Sequence, residues 1–349
     1  MGQSLSSQSL LWFRISLSFY FIFLGCIIGT WSSLMSVIKI DHNLSDATLG
    51  AVLLSAIGGG ILASPIAAYC NTQFGSSKNM LLGSLISLSI FPLLGVTYND
   101  NPQLDIAVLI ISIACLGVGM IWCDVSMNTL SSSFEKLSRK HYMGYFQSLY
   151  AVGAVVGVLL GGLLLEKGCS AFQILCLNTM VLTPLVIAFY FWLFTKEEQE
   201  GGSNDDDNNL ETSILISKEV GISQKVDRRQ VCCLMLLGFL AYQGEGMVGD
   251  WGVIYMTSTL KAPPLFATLG FAAFQCFVIF GRLGSDYLHK YWKTSFILKV
   301  SGFVSSCGMS IVIYAPSSPW PLSICVSGFA VMGLGLSFVA PLVISAAGK

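Results

Sequence analysis

Long apolar runs alternate with short polar breaks along the whole chain, and the first of them extends from Leu11 to Ile38. That run exceeds the 7 to 15 residues of a signal-peptide core, so it reads as a membrane helix and not as a cleavable leader. At about 20 residues per crossing, further spans are expected at 47–69, 80–98, 106–130, 142–165, 172–194, 231–256, 264–288, 295–315 and 321–347. Ten helices are expected, and the fold class is all-α and polytopic. The sixth and seventh runs are separated by the hydrophilic stretch 196–229, which contains EEQEGGSNDDDNN. Clustered charge with little apolar content cannot support a core, so this stretch is read as a disordered linker. It divides the chain into a six-helix half, 1–195, and a four-helix remainder, 230–349.

Composition agrees with the pattern: 54% of residues are hydrophobic and 11% charged, against about 25% charged in soluble domains. A formal net charge of -1 without a sustained basic patch removes the footprint that nucleic-acid binding needs. The lipid bilayer is therefore the expected surrounding, and nucleic acid is excluded as a partner. Counting Lys and Arg, twelve fall on one side, including Arg14, Lys136, Arg228 and Lys293, whereas Lys39, Lys167 and Lys261 fall on the other. Positive-inside reasoning then puts both termini in the cytoplasm. The N-terminal MGQSLS fits a myristoylation pattern, and Cys232 and Cys233 could carry palmitate or simply pack. The other cysteines lie mostly in apolar runs and read as small packing residues. No H-E-x-x-H, G-x-S-x-G or P-loop occurs, and His42, His141 and His289 are scattered, so no enzyme, metal site or cofactor is expected.

The chemistry that stands out is charge inside apolar runs. Asp124 lies in GMIWCDVSMN, and an ionisable group in hydrocarbon costs about 2.5 to 3.5 kcal/mol, so it faces a cavity or a partner helix. Gly117, Ile121, Asp124 and Asn128 share one helical stripe, which suits a cavity wall. The bland reading is an Asp that only bonds a neighbouring helix. In the seventh run, Gly244, Gly246, Gly249 and Gly252 surround Glu245 and Asp250. Each glycine disfavours helix by about 0.8 to 1 kcal/mol, so a broken helix is expected here, turning both carboxylates, otherwise about 140° apart, to one cavity. Close helix packing is the competing reading of those glycines. Trp31, Ser32 and Trp251 could stack on or bond a planar solute or form an interfacial belt. Gln147, Tyr150 and Gln275 could bond solute hydroxyls or glue helices, and Gly153, Gly157, Gly161 and Gly162 form a G-x-x-x-G ladder. Arg282 and Asp286, four apart, can pair with each other or with a neighbouring helix as a cytoplasmic gate.

Several motifs together carry a resemblance: GTWSS and LSDATLG within 29–50, DVSMN at 124–128, EGMVGDW at 245–251, GRLGSD at 281–286 and PLVISAAG at 341–348. As a set they resemble the major facilitator superfamily, in particular a bacterial inner-membrane group close to the fucose permease branch. The resemblance implies alternating access, with the first, fourth, seventh and tenth helices lining a central cavity. It implies proton coupling through Asp124, with Glu245 as the second coupling carboxylate, and Trp31, Asn128, Gln147, Asp250, Trp251 and Gln275 as solute-binding groups. Three departures stand out. The loop after the second helix reads Thr72-Gln73-Phe74-Gly75-Ser76 and lacks the family's Asp and Arg; Val158 replaces the proline of the antiporter motif; and ten helices are counted instead of twelve. The expected function is a secondary transporter moving a small polar, sugar-like solute by proton symport. The alternative is a non-transporting sensor or a truncated remnant. The small-residue face of the second helix, with Gly58, Gly59 and Gly60, is expected to favour self-association.

Overall fold

The computed structural model describes residues 7–98, 100–138, 140, 142–201, 228–289 and 291–339. Among these residues the chain forms ten α-helices: α1 (Ser7–Asp41), α2 (Asp46–Phe74), α3 (Ser76–Ile90), α4 (Pro102–Ser138), α5 (Met143–Glu166), α6 (Ala171–Gly201), α7 (Arg228–Ser258), α8 (Pro264–His289), α9 (Thr294–Tyr314) and α10 (Pro321–Leu336). Eight of them are long and apolar enough to cross a membrane. The other two are α7, which carries Glu245 and Asp250, and α10, a shorter apolar helix. Most of the expected linker, 202–227, lies outside the described residues, as does the PLVISAAG stretch.

Short polar devices mark where helices start and reverse. The Ser45 hydroxyl accepts a hydrogen bond from the backbone N–H of Thr48 at 3.1 Å and caps α2. Lys39 at the end of α1 pairs with Asp46 at the start of α2. Gly75, with φ of 85°, takes the left-handed conformation that lets α2 turn at once into α3. Glu135 accepts hydrogen bonds from the backbone N–H groups of Tyr142 and Met143 at 2.5 and 2.8 Å, placing a negative charge at the positive end of α5. His42, expected only as a scattered loop residue, is buried against Asp105 with Nδ1 2.7 Å from Oδ2, tying the end of α1 to the start of α4.

The glycine ladder settles how the centre is packed. A Cβ added at Gly153 would lie 2.1 Å from the carbonyl oxygen of Ile22, and one at Gly157 would lie 2.4 Å from that of Cys26. From the other side, Cβ atoms at Gly25 and Gly29 would lie 2.0 and 2.1 Å from the carbonyl oxygens of Tyr150 and Ala154. No side chain fits at these crossings, so α1 and α5 meet backbone to backbone. On its other face α5 packs along α8, where a Cβ at Gly162 would lie 2.7 Å from the Thr268 side chain. Helix α2 packs mainly on α4, and α9 on α10. Outward faces of α2, α6 and α9 stay apolar and exposed, as at Leu62, Met180 and Phe303, which suits contact with lipid.

The seventh helix corrects one expectation. It runs unbroken from Arg228 to Ser258 despite its glycines. A Cβ at Gly244 would meet Leu336 of α10 at 2.8 Å, so that position serves close packing, whereas one at Gly252 would make only ordinary contact, 3.7 Å from Phe329 of the same helix. Gly246 has open space beside it.

Candidate functional site

A cavity of about 660 Å³ opens between α1, α2, α4, α5, α7 and α8. That volume lies within the usual range for small-molecule sites. Its walls are mainly apolar, from Leu53, Ile57 and Ile61 of α2 and Ile113, Leu116 and Met120 of α4. Three carboxylates interrupt them: Asp124, Glu245 and Asp250. No Lys, Arg or His lines the cavity among the described residues. The lining differs from the resemblance in its helices, since α2, α5 and α8 contribute and α10 does not. Helix α10 packs on α8, and its Leu336 sits against the Gly244 position of α7 instead.

Glu245 and Asp250 both reach the cavity from a continuous helix. Five residues apart they point about 140° from each other, and each is drawn by a different neighbour. Glu245 turns to α8, where Arg282 Nη2 donates to its Oε1 at 2.7 Å. Asp250 turns to α1, where the indole N–H of Trp31 donates to its Oδ1 at 3.3 Å. The cavity is wide enough to be bordered by both.

Beneath it lies a chain of hydrogen bonds between the first and second carboxylates. Asn128 Nδ2 donates to Asp124 Oδ1 at 3.0 Å and to the Asp124 carbonyl at 2.9 Å. Gln147 Nε2 donates to Asn128 Oδ1 at 3.3 Å. Arg282 Nη1 donates to the backbone carbonyl of Gln147 at 3.2 Å, while its Nη2 holds Glu245. Four helices, α4, α5, α8 and α7, thus share one network. The other polar groups of the GMIWCDVSMN run face away from it: Trp122 donates to Asn79 Oδ1 of α3 at 3.2 Å, and Ser126 donates to Asn71 Oδ1 of α2 at 2.9 Å.

Of the residues singled out from sequence, Trp31, Asp124, Glu245, Asp250 and Gln275 line the cavity. Asn128, Gln147 and Arg282 stand behind its wall in the network. Trp251 is not among the residues that line this cavity; it packs beside Gly50 at the start of α2 and against the core. Arg282 is 4% exposed and takes Glu245 as its charged partner. The Asp286 side chain lies outside the described residues. Tyr242, Ser64 and Phe271 were missed. Two of them lay on stripes already marked: Tyr242 precedes Glu245 by three residues, and Phe271 precedes Gln275 by four. Two buried oxygens at the cavity, Ser32 Oγ and Gln275 Oε1, have no hydrogen-bond partner among the described residues.

Residues 14–349 match the sequence family described as Major Facilitator Superfamily. The chain belongs to the major facilitator superfamily. It is therefore a multi-pass membrane transporter and not an enzyme. An uncharacterised MFS-type transporter of Yersinia pestis is 27% identical over 338 residues, covering 96% of this chain and 80% of the relative. The membrane protein MosC of Rhizobium meliloti is 23% identical, covering 95% and 74%. Among solved superfamily structures, the nucleoside transporter NupG aligns with a TM-score of 0.67 at 12% identity, covering 96% of this chain and 85% of that one. The D-xylose-proton symporter aligns at 0.65 and 14% identity, covering 95% and 82%. These two structural likenesses bear on the fold alone.

Proposed function

We propose that the protein is a proton-coupled symporter of a small polar, sugar-like solute, working by alternating access. Its halves, 1–195 and 230–349, would rock about the cavity, with 196–229 as a cytoplasmic linker and both termini in the cytoplasm. The single observation that carries this reading is the hydrogen-bonded chain from Asp124 through Asn128, Gln147 and Arg282 to Glu245 beside the cavity. The Asp124 carboxylate is held by one neutral amide donor, Asn128, and by no cation among the described residues, so a proton arriving there strands no opposite charge. Protonation of Glu245 has the opposite consequence: it releases Arg282, which also holds the Gln147 carbonyl, and so loosens α7, α8 and α5 from one another. A proton on Glu245 thereby changes a contact between helices, which is what coupling requires, while a proton on Asp124 acts first within α4, on the Asn128 amide that Gln147 of α5 meets. The D-xylose-proton symporter among the structural neighbours shares the fold on which this reading is built.

Self-association through α2 belongs to the same proposal. Leu54 and Leu62 are exposed on that helix and the Gly58 position is open, whereas Gly59 and Gly60 pack against Ala114 and Ile121 of α4 and so lie outside the associating face. Uptake into proteoliposomes under an inward pH gradient, screened over monosaccharides and polyols, tests the proposal. Accumulation that collapses when the gradient is dissipated supports it. Binding without accumulation points instead to a sensor.

A further inference from the structure

We infer that the solute carries a protonated amine, held at the Asp250 end of the cavity; the inference rests on the transporter reading above and narrows its substrate class. The argument begins with charge. The Glu245 and Arg282 side chains neutralise each other at 2.7 Å. Asp250 has no such cation: its one protein donor among the described residues is the uncharged indole N–H of Trp31, on Oδ1. A neutral sugar bound here would bring hydroxyl donors and leave the carboxylate uncompensated in a largely apolar cavity, which is costly. An ammonium group supplies three donors and the missing charge together.

The surroundings fit that group independently of the charge. Ser32 is fully buried and Gln275 is 3% exposed, and Ser32 Oγ and Gln275 Oε1 lack partners while lining this cavity. The second oxygen of Asp250 accepts from no protein group among the described residues, and Ser32 Oγ and Gln275 Oε1 lie buried in the wall of the same cavity, so a donor-rich ligand meets one open acceptor backed by two unpartnered ones. Ser32 and Phe271 converge on the backbone next to Asp250: a Cβ at Gly249 would lie 3.5 Å from Ser32 Oγ and 3.6 Å from Phe271 Cε2. Phe271 and Trp31 line the cavity beside these groups. The ligand class is a small amine-bearing polyol, with hydroxyls to spare for the other polar groups of the cavity.

Thermal-shift measurements on the purified full chain test this, with glucosamine against glucose and 1-amino-1-deoxysorbitol against sorbitol. The amines should stabilise the protein at concentrations about ten- to a hundredfold lower than their neutral counterparts, the range that charge-assisted hydrogen bonds provide. Asp250→Asn should erase that difference, and Asp250→Glu should restore part of it. Should Asp250→Asn not fold, Ser32→Ala provides the second variant and should weaken amine binding several-fold. Neutral sugars binding as tightly as the amines would overturn the amine assignment and leave the transporter of neutral solutes standing. If neither class stabilises the protein and neither accumulates in proteoliposomes, the sugar-like reading falls as well.

Discussion

Asp124 and Arg282 have partners of different kinds, and their substitutions should separate accordingly. Asp124 is held by an amide, so Asp124→Asn keeps a hydrogen-bonding group in place while removing the proton site. It should abolish gradient-driven accumulation in proteoliposomes and leave solute exchange largely intact; a mutant that still concentrates solute removes Asp124 from coupling. Arg282 holds a carboxylate whose side chain is 15% exposed. Arg282→Gln strands that charge, and the cost for a buried pair broken on one side is about 3–5 kcal/mol. The double variant Arg282→Gln with Glu245→Gln should recover most of the lost thermal stability without recovering transport, which a melting curve and an uptake assay together would read. The carboxylates themselves were legible in the sequence because charge in an apolar run is conspicuous, and Asn128 followed from the helical stripe. The Arg282 partner was not. Glu245 lies 37 residues away, and helical spacing speaks only of neighbours within about a turn.

Helix α7 shows where local propensity loses to packing. Four glycines weaken the isolated helix by about 0.8 to 1 kcal/mol each, and on that arithmetic a break was expected. The Gly244 position instead admits Leu336 of α10 closely, and the 31 residues stay helical. Sequence could supply the penalty, but not the neighbours that offset it. The same geometry reverses the meaning of two glycine substitutions. Gly246 faces open space at the cavity, so Gly246→Leu should lower solute binding sharply with little change in folded yield. At Gly157 a side chain would collide with the Cys26 carbonyl oxygen, so Gly157→Leu should cost folded yield first. Size-exclusion recovery and binding measured on both variants check the contrast; equal losses at the two positions would contradict it. The helix count and the apolar ladder of α5 were readable because they depend on runs and periods. Trp251 packs beside Gly50, and a tryptophan at membrane depth looks the same from sequence whether it faces a solute or a neighbouring helix.

At the scale of the whole molecule, α5 touches α1 on one side and α8 on the other. A cysteine pair at Gly162 and Leu265 would be close enough to cross-link, since a Cβ at Gly162 would lie 3.3 Å from Leu265 Cα. Oxidised, that pair should pin the seam and stop uptake while leaving solute binding measurable, with reduction restoring uptake; unchanged uptake after complete cross-linking would mean that this seam does not move. The two faces of α5 also differ mechanically. Against α1 it is keyed, backbone into backbone, with no side chain to give way; against α8 the Gly162 position meets the Thr268 side chain, and such a surface can slide. A shaft keyed to one wheel and plain against another carries only the first when it turns. Any tilt of α5 against α8 therefore takes α1 along, and with it the Trp31 indole that rests on Asp250. With the other six tryptophans replaced, the fluorescence of that indole becomes the dial on which such a tilt can be read.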